Sequence, residues 1–292
     1  MMDPKKVTKP GTKSRFPTDG TEVSYGLRSG LAVFERRRQD IRRIGFDASL
    51  RPELPELLRW AASQGVPCRE ETEKELTHRS ESNQHEGLVL DVAPRRWLPA
   101  KELASFVAAN PGLCVALDRV RNPQNIGAII RSAAFFGAKV LILGAPAPHP
   151  GLPAFALRVA EGSAEHLVVS RTTDLADTLG RLKSSGVNVI GTDAHAKLDL
   201  QSMPSQASNV LVLGHEREGL SPRVKAQCNS LVAIHGSGAL ESLNVAVAAG
   251  VLFAELWRRS PALRAEAAAT PSAGAAPRAS SSASLQASQH RR

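Results

Sequence analysis

From Tyr25 onward the chain alternates between helical and strand-like hydrophobic rhythms, an order that predicts an α/β protein in two parts. LAVFERRRQDIRRI sets Leu31, Phe34, Ile41 and Ile44 on one stripe, which predicts a helix over 31–44. ELPELLRWAASQG predicts a second helix, closed by Gly65, and EGLVLDV a short strand. These elements predict a small α/β domain over residues 23–98, bounded near PRRWLPAKE by Pro94 and Pro99. A linker helix is expected within 99–111.

After Pro111 the alternation is more regular. LCVALD, KVLIL, HLVVS, NVIGTD, NVLVLG and SLVAI predict strands, and NIGAIIRSAAFFG, PAFALRVAEGS and TDLADTLGRLKSSG predict helices. A long helix from Leu243 to Arg259 closes a second domain over 112–260. Continuous apolar strands joined by helices of this length predict a parallel sheet covered on both faces. Ligands then belong at the carboxyl ends of its strands. No repeat occurs at solenoid periods.

Composition narrows the function. At 42% hydrophobic and 22% charged residues, most of the chain reads as globular. Aromatics are only 4%, with the single tyrosine Tyr25, which argues against proteins that stack RNA bases on exposed rings. Residues 1–22 are rich in Lys, Pro, Thr and Gly, and residues 261–292 are almost entirely Ala, Ser, Pro, Gln and Arg. Neither stretch buries enough apolar surface to offset ordering, so both are expected to be disordered tails.

The net charge of +9 points to an acidic partner, and its distribution matters more than its total. Residues 1–20 and 261–292 hold +3 each, residues 21–110 balance, and residues 111–260 hold the last +3. Within the first domain, Arg28, Arg36, Arg37, Arg38, Arg42 and Arg43 face only Glu35 and Asp40. This cluster is a candidate surface for RNA phosphates, or a solvated helix face. Cys68, Cys114 and Cys228 lack the spacing of a zinc site or disulfide framework. With no signal-peptide core and no apolar run long enough for a membrane span, a cytoplasmic protein without membrane contact is expected.

Three stretches at predicted strand ends carry chemistry. The first is NPQNIGAIIR, in which Asn125 could cap a helix, while Arg131 follows among Ile and Ala residues and should face an anion or carboxylate. The second is LGHEREGL, where the strand breaks at Gly214 and Glu216 follows in the loop. The third is IHGSGALESLNVAVAAG, a Gly-rich loop leading into a helix start with Ser242 and Asn244. A dinucleotide fingerprint is rejected there, because Glu241 stands at the third glycine position and no second βαβ half follows.

In this order the three stretches resemble the SpoU/TrmH family of RNA ribose 2′-O-methyltransferases, over about residues 112–259. Residues 24–96 are similar, more loosely, to the substrate-binding domain that some members carry ahead of it. The resemblance implies a parallel sheet ending in a deep C-terminal trefoil knot, a rare exception to unthreaded folds. It implies S-adenosylmethionine held largely by main chain around Thr192, Gly214, Ile234 and Leu243, and a homodimer with the knots at the interface. It also maps functional side chains onto Arg131, Asn125, Glu216, Ser242 and Asn244.

A ribose hydroxyl is a poor nucleophile and must be held in line with the methyl group as its proton leaves. On this reading Arg131 binds the adjacent phosphate and stabilises the developing alkoxide. Asn125 and Asn244 orient the ribose or the arginine, Glu216 pairs with and aims Arg131, and Ser242 caps the last helix while facing the site. The chain departs from the family pattern at His235 and Gly236, where proline commonly follows the isoleucine. His235 and His215 are not taken as bases, and Asp193 with His195 does not make a metal site. The resulting expectation is an S-adenosylmethionine-dependent enzyme acting on a ribose 2′-OH of structured RNA, rRNA ahead of tRNA. The alternative is a non-catalytic RNA-binding or ribosome-assembly module on the same fold.

Overall fold

The computed structural model describes residues 20–144, 151–202 and 206–269. The amino-terminal part is built from β1 (Glu22–Tyr25), α1 (Leu27–Arg37), β2 (Ile41–Phe46), α2 (Pro55–Gln64), β3 (Cys68–Glu70), α3 (Glu73–Ser80) and β4 (Leu88–Val92). Its sheet runs β1-β4-β2-β3, with β4 antiparallel to both neighbours and β3 parallel to β2. Val33, Phe34, Ile44, Leu57, Leu88 and Leu90 fill its core.

The helix expected over 31–44 stops at Arg37. A 3-10 turn over Arg38–Asp40 follows, and Ile41 and Ile44 belong to β2, opposite Val92 and Leu90. Apolar residues three apart fit a helix, but a bulge between Ile41 and Arg43 lets the strand bury both isoleucines. The two shortest strands of this sheet, β1 and β3, give too little alternation to be read from sequence. α2 follows the sequence reading, with Pro55 at its first position and Gly65 closing it at φ 67°. α3 carries a capping box between Thr72 and Glu75.

After α4 (Leu103–Ala109) comes the larger sheet: β5 (Leu113–Asp118), α5 (Pro123–Phe135), β6 (Val140–Gly144), α6 (Ala154–Val159), β7 (Val168–Thr172), α7 (Leu175–Ser184), β8 (Asn188–Thr192), β9 (Leu198–Asp199), β10 (Asn209–Leu213), α8 (Pro222–Gln227), β11 (Ser230–Ala233), α9 (Val245–Arg259) and α10 (Pro261–Ala269). The order is β7-β6-β5-β10-β8-β11-β9 and every pairing is parallel. Alternate residues of β5 feed two cores. Leu113, Val115 and Leu117 pack with α5 and α9 residues such as Ile129 and Phe253, and Cys114 and Ala116 with Leu103, Leu179 and Val224. Sheet and helices therefore form three layers.

Two further expectations are corrected. The helix expected over PAFALRVAEGS ends at Val159, and Glu161 and Gly162 reverse the chain at φ 47° and 82°. The expected disordered tail from 261 begins as α10, because buried Leu263 joins the α5–α9 core. At the other end Glu22 already opens β1, while residues 1–19 lie outside the described residues.

The two parts are joined by buried charge. Glu165 accepts from Arg37 Nε at 2.9 Å and from Arg95 Nη2 at 2.6 Å, and Glu22 pairs with Arg37. All four side chains are less than one fifth exposed. Ser29 Oγ of α1 adds a bond to the Leu157 carbonyl at 3.2 Å, and Arg158 reaches Glu86.

Candidate active site

The β5–α5 connection begins with Asn122, whose Oδ1 accepts from Gln124 N at 2.9 Å and caps α5, with Pro123 as the first helical residue. The cap is therefore Asn122 and not Asn125. Asn125 is released for another task and is buried. Its Nδ2 donates to Glu216 Oε1 at 2.8 Å, and its Oδ1 accepts from Asn244 Nδ2 at 3.1 Å. Asn244 Oδ1 in turn accepts from Ala246 N at 2.8 Å and Val247 N at 3.3 Å, capping α9. Ser242, expected to cap that helix, is displaced from the role by Asn244.

The loop between β10 and α8 closes on itself. His215 and Gly219 exchange backbone bonds at 3.1 and 2.9 Å, and Asp118 Oδ2 at the end of β5 accepts from Ser221 N at 2.6 Å. A Cβ on Gly214 would overlap the Gly219 carbonyl carbon and lie 2.5 Å from Leu220 N, so only glycine allows this turn.

A cavity of about 310 Å³ opens at the carboxyl ends of β8, β10 and β11. It brings together Thr192, Gly214, Glu216, Ile234, Ser242 and Leu243, six of the nine catalytic and cofactor residues expected from sequence. Its floor is Val245, Ala248 and Leu252, and Glu218, Glu241 and Arg217 add charge to the wall. Thr192 spends its hydroxyl on the Val212 carbonyl at 3.1 Å. His215 lines the cavity, whereas His235, exposed, does not.

Sequence reasoning missed one pair on the wall. Lys225 Nζ donates to Asp193 Oδ2 at 2.7 Å, and with the His195 amide it holds the Asp193 carboxyl below its ordinary value. The two residues lie 32 positions apart, and no local pattern links them. Among the described residues no group of three His, Cys, Asp or Glu side chains is placed to hold a metal ion.

Arg131 stands apart from the cavity. Glu216 does not aim it. Its Nη2 pairs instead with Glu161 Oε2 at 3.0 Å, and its side chain is half exposed. The apolar neighbours in sequence point inward, while Arg131 shares the outer stripe of α5 with Gln124, Ala128 and the largely exposed Phe135.

The candidate RNA arginines divide into two kinds. Arg37 is buried in the inter-domain network and is removed from any RNA surface. Arg28, Arg36 and Arg43 are exposed but engaged with Glu161, His166 and Glu71. Arg38 lies over the Phe34 ring at 4.7 Å, and Arg42 Nη1 donates to the Gly20 carbonyl and Thr21 Oγ1 at 3.4–3.5 Å.

The SpoU rRNA Methylase family matches residues 112–254, and the substrate-binding domain of RNA 2′-O ribose methyltransferases matches residues 24–98. An uncharacterized tRNA/rRNA methyltransferase of Mycolicibacterium gilvum is 34% identical over 83% of this chain and 78% of its own length. One from Mycolicibacterium smegmatis is 34% identical over 74% and 68%. The chain belongs to the SpoU family of RNA methyltransferases. Its fold is that of the AdoMet-bound rRNA methyltransferase from Sinorhizobium meliloti (TM-score 0.69, 24% identity, 82% of this chain and 88% of that one). It is also that of the SpoU methyltransferase AviRb from Streptomyces viridochromogenes (TM-score 0.68, 23% identity, 82% and 91%). Among the described residues of this SpoU protein no helix is long and apolar enough to cross a membrane.

Proposed function

We propose that this SpoU protein transfers a methyl group from S-adenosylmethionine to a ribose 2′-oxygen of structured RNA, with ribosomal RNA favoured over transfer RNA. The observation that carries the reading is the chain of hydrogen bonds from Glu216 through Asn125 to Asn244, which ties the three sequence stretches together beside one cavity. The cavity suits the cofactor. Its volume is near the lower end for small-molecule sites, Leu213, Ile234 and Leu252 offer an apolar bed for a flat ring, and acidic groups on its wall favour a cationic ligand. Backbone around Thr192, Gly214, Ile234 and Leu243 would hold it, and bound there it supplies an electrophilic methyl group.

The residues of the chain do the rest. Asn125 and Asn244 fix the Glu216 carboxylate on the cavity wall, and Ser242 presents a hydroxyl at its mouth. Arg131 binds the phosphate next to the target ribose and stabilises the alkoxide that develops as the hydroxyl proton passes to an oxygen of that phosphate. Within one chain Arg131 lies six positions along α5 from Asn125, roughly 9 Å along the axis. α9, which packs along α5, carries the exposed Val247 and Val251. We assign the homodimer contact to this apolar face, which carries Arg131 into the interface and completes the site between two copies. The insertion of β10 between β5 and β8, with α9 returning to α5, supports the trefoil knot. Residues 23–98 serve as the RNA-binding domain, 99–111 as its linker and 112–260 as the knotted catalytic domain, and the enzyme works in the cytoplasm.

Calorimetric titration with S-adenosylmethionine tests the cavity, and mapping of ribose methylation in RNA from a deletion strain tests the chemistry. The reading requires one saturable site per chain, weakened by Ala248→Leu, and a nucleotide whose 2′-O-methyl group disappears with the gene. A bulky residue at Gly214 is a poor probe, because it disrupts the turn itself. A folded protein that binds no cofactor with or without RNA supports the non-catalytic RNA-binding or ribosome-assembly module instead.

A further inference from the structure

Glu161 holds two arginines from the two parts of the molecule on one oxygen. Its Oε2 accepts from Arg28 Nη1 of α1 at 2.8 Å and lies 3.0 Å from Arg131 Nη2 of α5. The glutamate side chain is 25% exposed against 72% and 51% for Arg28 and Arg131, so the carboxylate is the enclosed member and both cations face outward.

The backbone at this point is unusual. Glu161 adopts φ 47°, a left-handed conformation for which glycine is the unstrained choice, and Gly162 follows at 82°. A carboxylate is thus kept where glycine would fit more easily. Helix α1 rests on the same turn, since a Cβ on Gly162 would lie 2.5 Å from Ala32 Cβ and 3.0 Å from the Arg28 carbonyl oxygen. The hydrogen bond from Ser29 to the Leu157 carbonyl and the buried pairs of Glu165 pin that helix in place. The position of the small domain therefore sets where Arg28 meets Glu161, and Glu161 sets where Arg131 rests.

We propose that Glu161 is a positioning residue for Arg131, and that Arg28 joins them to form a two-arginine clamp for an RNA phosphate. Two guanidinium groups this close repel each other unless an anion lies between them. Glu161 supplies one negative charge and leaves the trio at net +1, which matches the single charge of a phosphodiester. The clamp ties methyl transfer to the docking of RNA on the small domain, because one of its arms belongs to that domain. The inference rests on the role given above to Arg131 at the methyl-transfer site.

The test uses the full-length protein, S-adenosylmethionine and RNA from a deletion strain. Glu161→Gln is expected to lower kcat about tenfold or more through misplacement of Arg131, with cofactor affinity unchanged. Glu161→Asp should recover part of the loss, and Arg28→Ala should raise KM for RNA more than it lowers kcat. Glu161→Gly separates function from folding: it relieves the left-handed backbone, so thermal stability should hold or rise while kcat falls. In a double-mutant cycle, Glu161→Gln added to Arg131→Ala should cause no further loss. Additive losses, or a fall in kcat that merely follows stability across the Glu161 variants, would overturn the clamp. Full activity of Arg131→Ala would instead refute the role of that arginine, whereas loss in Arg131→Ala with normal turnover in Glu161→Gln would remove only the clamp.

Discussion

Asn244 Nδ2 donates to Asn125 Oδ1 at 3.1 Å across 119 positions of sequence, joining the first turns of α9 and α5. Because Asn125 also donates to Glu216, one buried amide fixes the relative positions of two helices and the β10–α8 loop. A buried amide so fully used tolerates little change.

Asn125→Ala leaves the Glu216 carboxylate and the Asn244 amide without their partner. A loss of about 1–3 kcal/mol in unfolding free energy is expected, with a much larger proportional loss of methyl transfer. Denaturant unfolding and methyl incorporation, measured on the same preparation, would show it. Wild-type turnover in the variant would detach this hydrogen-bond chain from catalysis.

Arg37 and Arg42, five residues apart, should behave in opposite ways. Arg37→Ala takes one of two arginines from Glu22 and Glu165 at the buried domain junction, leaving them to Arg95, and should cost about 1–3 kcal/mol of stability. Arg42→Ala should cost less than about 0.5 kcal/mol, yet weaken RNA binding and reduce its salt slope by about 1. Unfolding curves paired with RNA binding at several salt concentrations distinguish them, and a weakened RNA affinity confined to Arg37→Ala would reverse the assignment.

The Asp193–Lys225 pair gives a pH signature. Hydrogen bonding by Lys225 and by the His195 amide holds the Asp193 carboxyl below its ordinary 3.8, so its stabilisation is present above that value and is lost as pH falls through the lower folded value. Asp193→Asn should therefore differ most from wild type near neutral pH, by less than about 1 kcal/mol because Lys225 is 39% exposed. The gap should close as pH drops below about 4. Urea unfolding over a pH series reads this directly, and a gap independent of pH would show that the carboxylate contributes nothing electrostatic.

The exposed stripe of α5 gives a test of assembly. Phe135 is 81% exposed, and Val247 and Val251 of the adjoining α9 are 54% and 45% exposed. Charge at the centre of an apolar contact is strongly unfavourable, so Phe135→Asp should convert a dimer to monomer in sedimentation experiments at micromolar protein. Unchanged sedimentation would move the interface to another face.

Much of the larger sheet is legible in the amino-acid sequence. LCVALD coincides with β5 residue for residue, and the other apolar runs coincide with strands to within two positions, because a strand buried on both faces writes its whole length in apolar residues. The small sheet is harder. Ile41 and Ile44 suit a helix stripe and a strand equally well, and only β4 across the sheet decides between them. At the site, Thr192, Gly214, Glu216 and Ile234 reach one cavity through their places at or near strand ends, and Ser242 and Leu243 through theirs just ahead of α9, positions that periodicity and motifs already mark.

What the sequence by itself determined, then, was the alternation of strands and helices, the family and the strand ends where chemistry gathers. These are written in side-chain periods of two and 3.6 residues and in short motifs. The tertiary structure alone decided that Glu216 belongs to Asn125 and Arg131 to Glu161, that Arg37 serves the domain junction, and that Asp193 meets Lys225. The partners of a charge or amide are set by which turns the packed layers bring within about 3 Å, a distance no local pattern encodes.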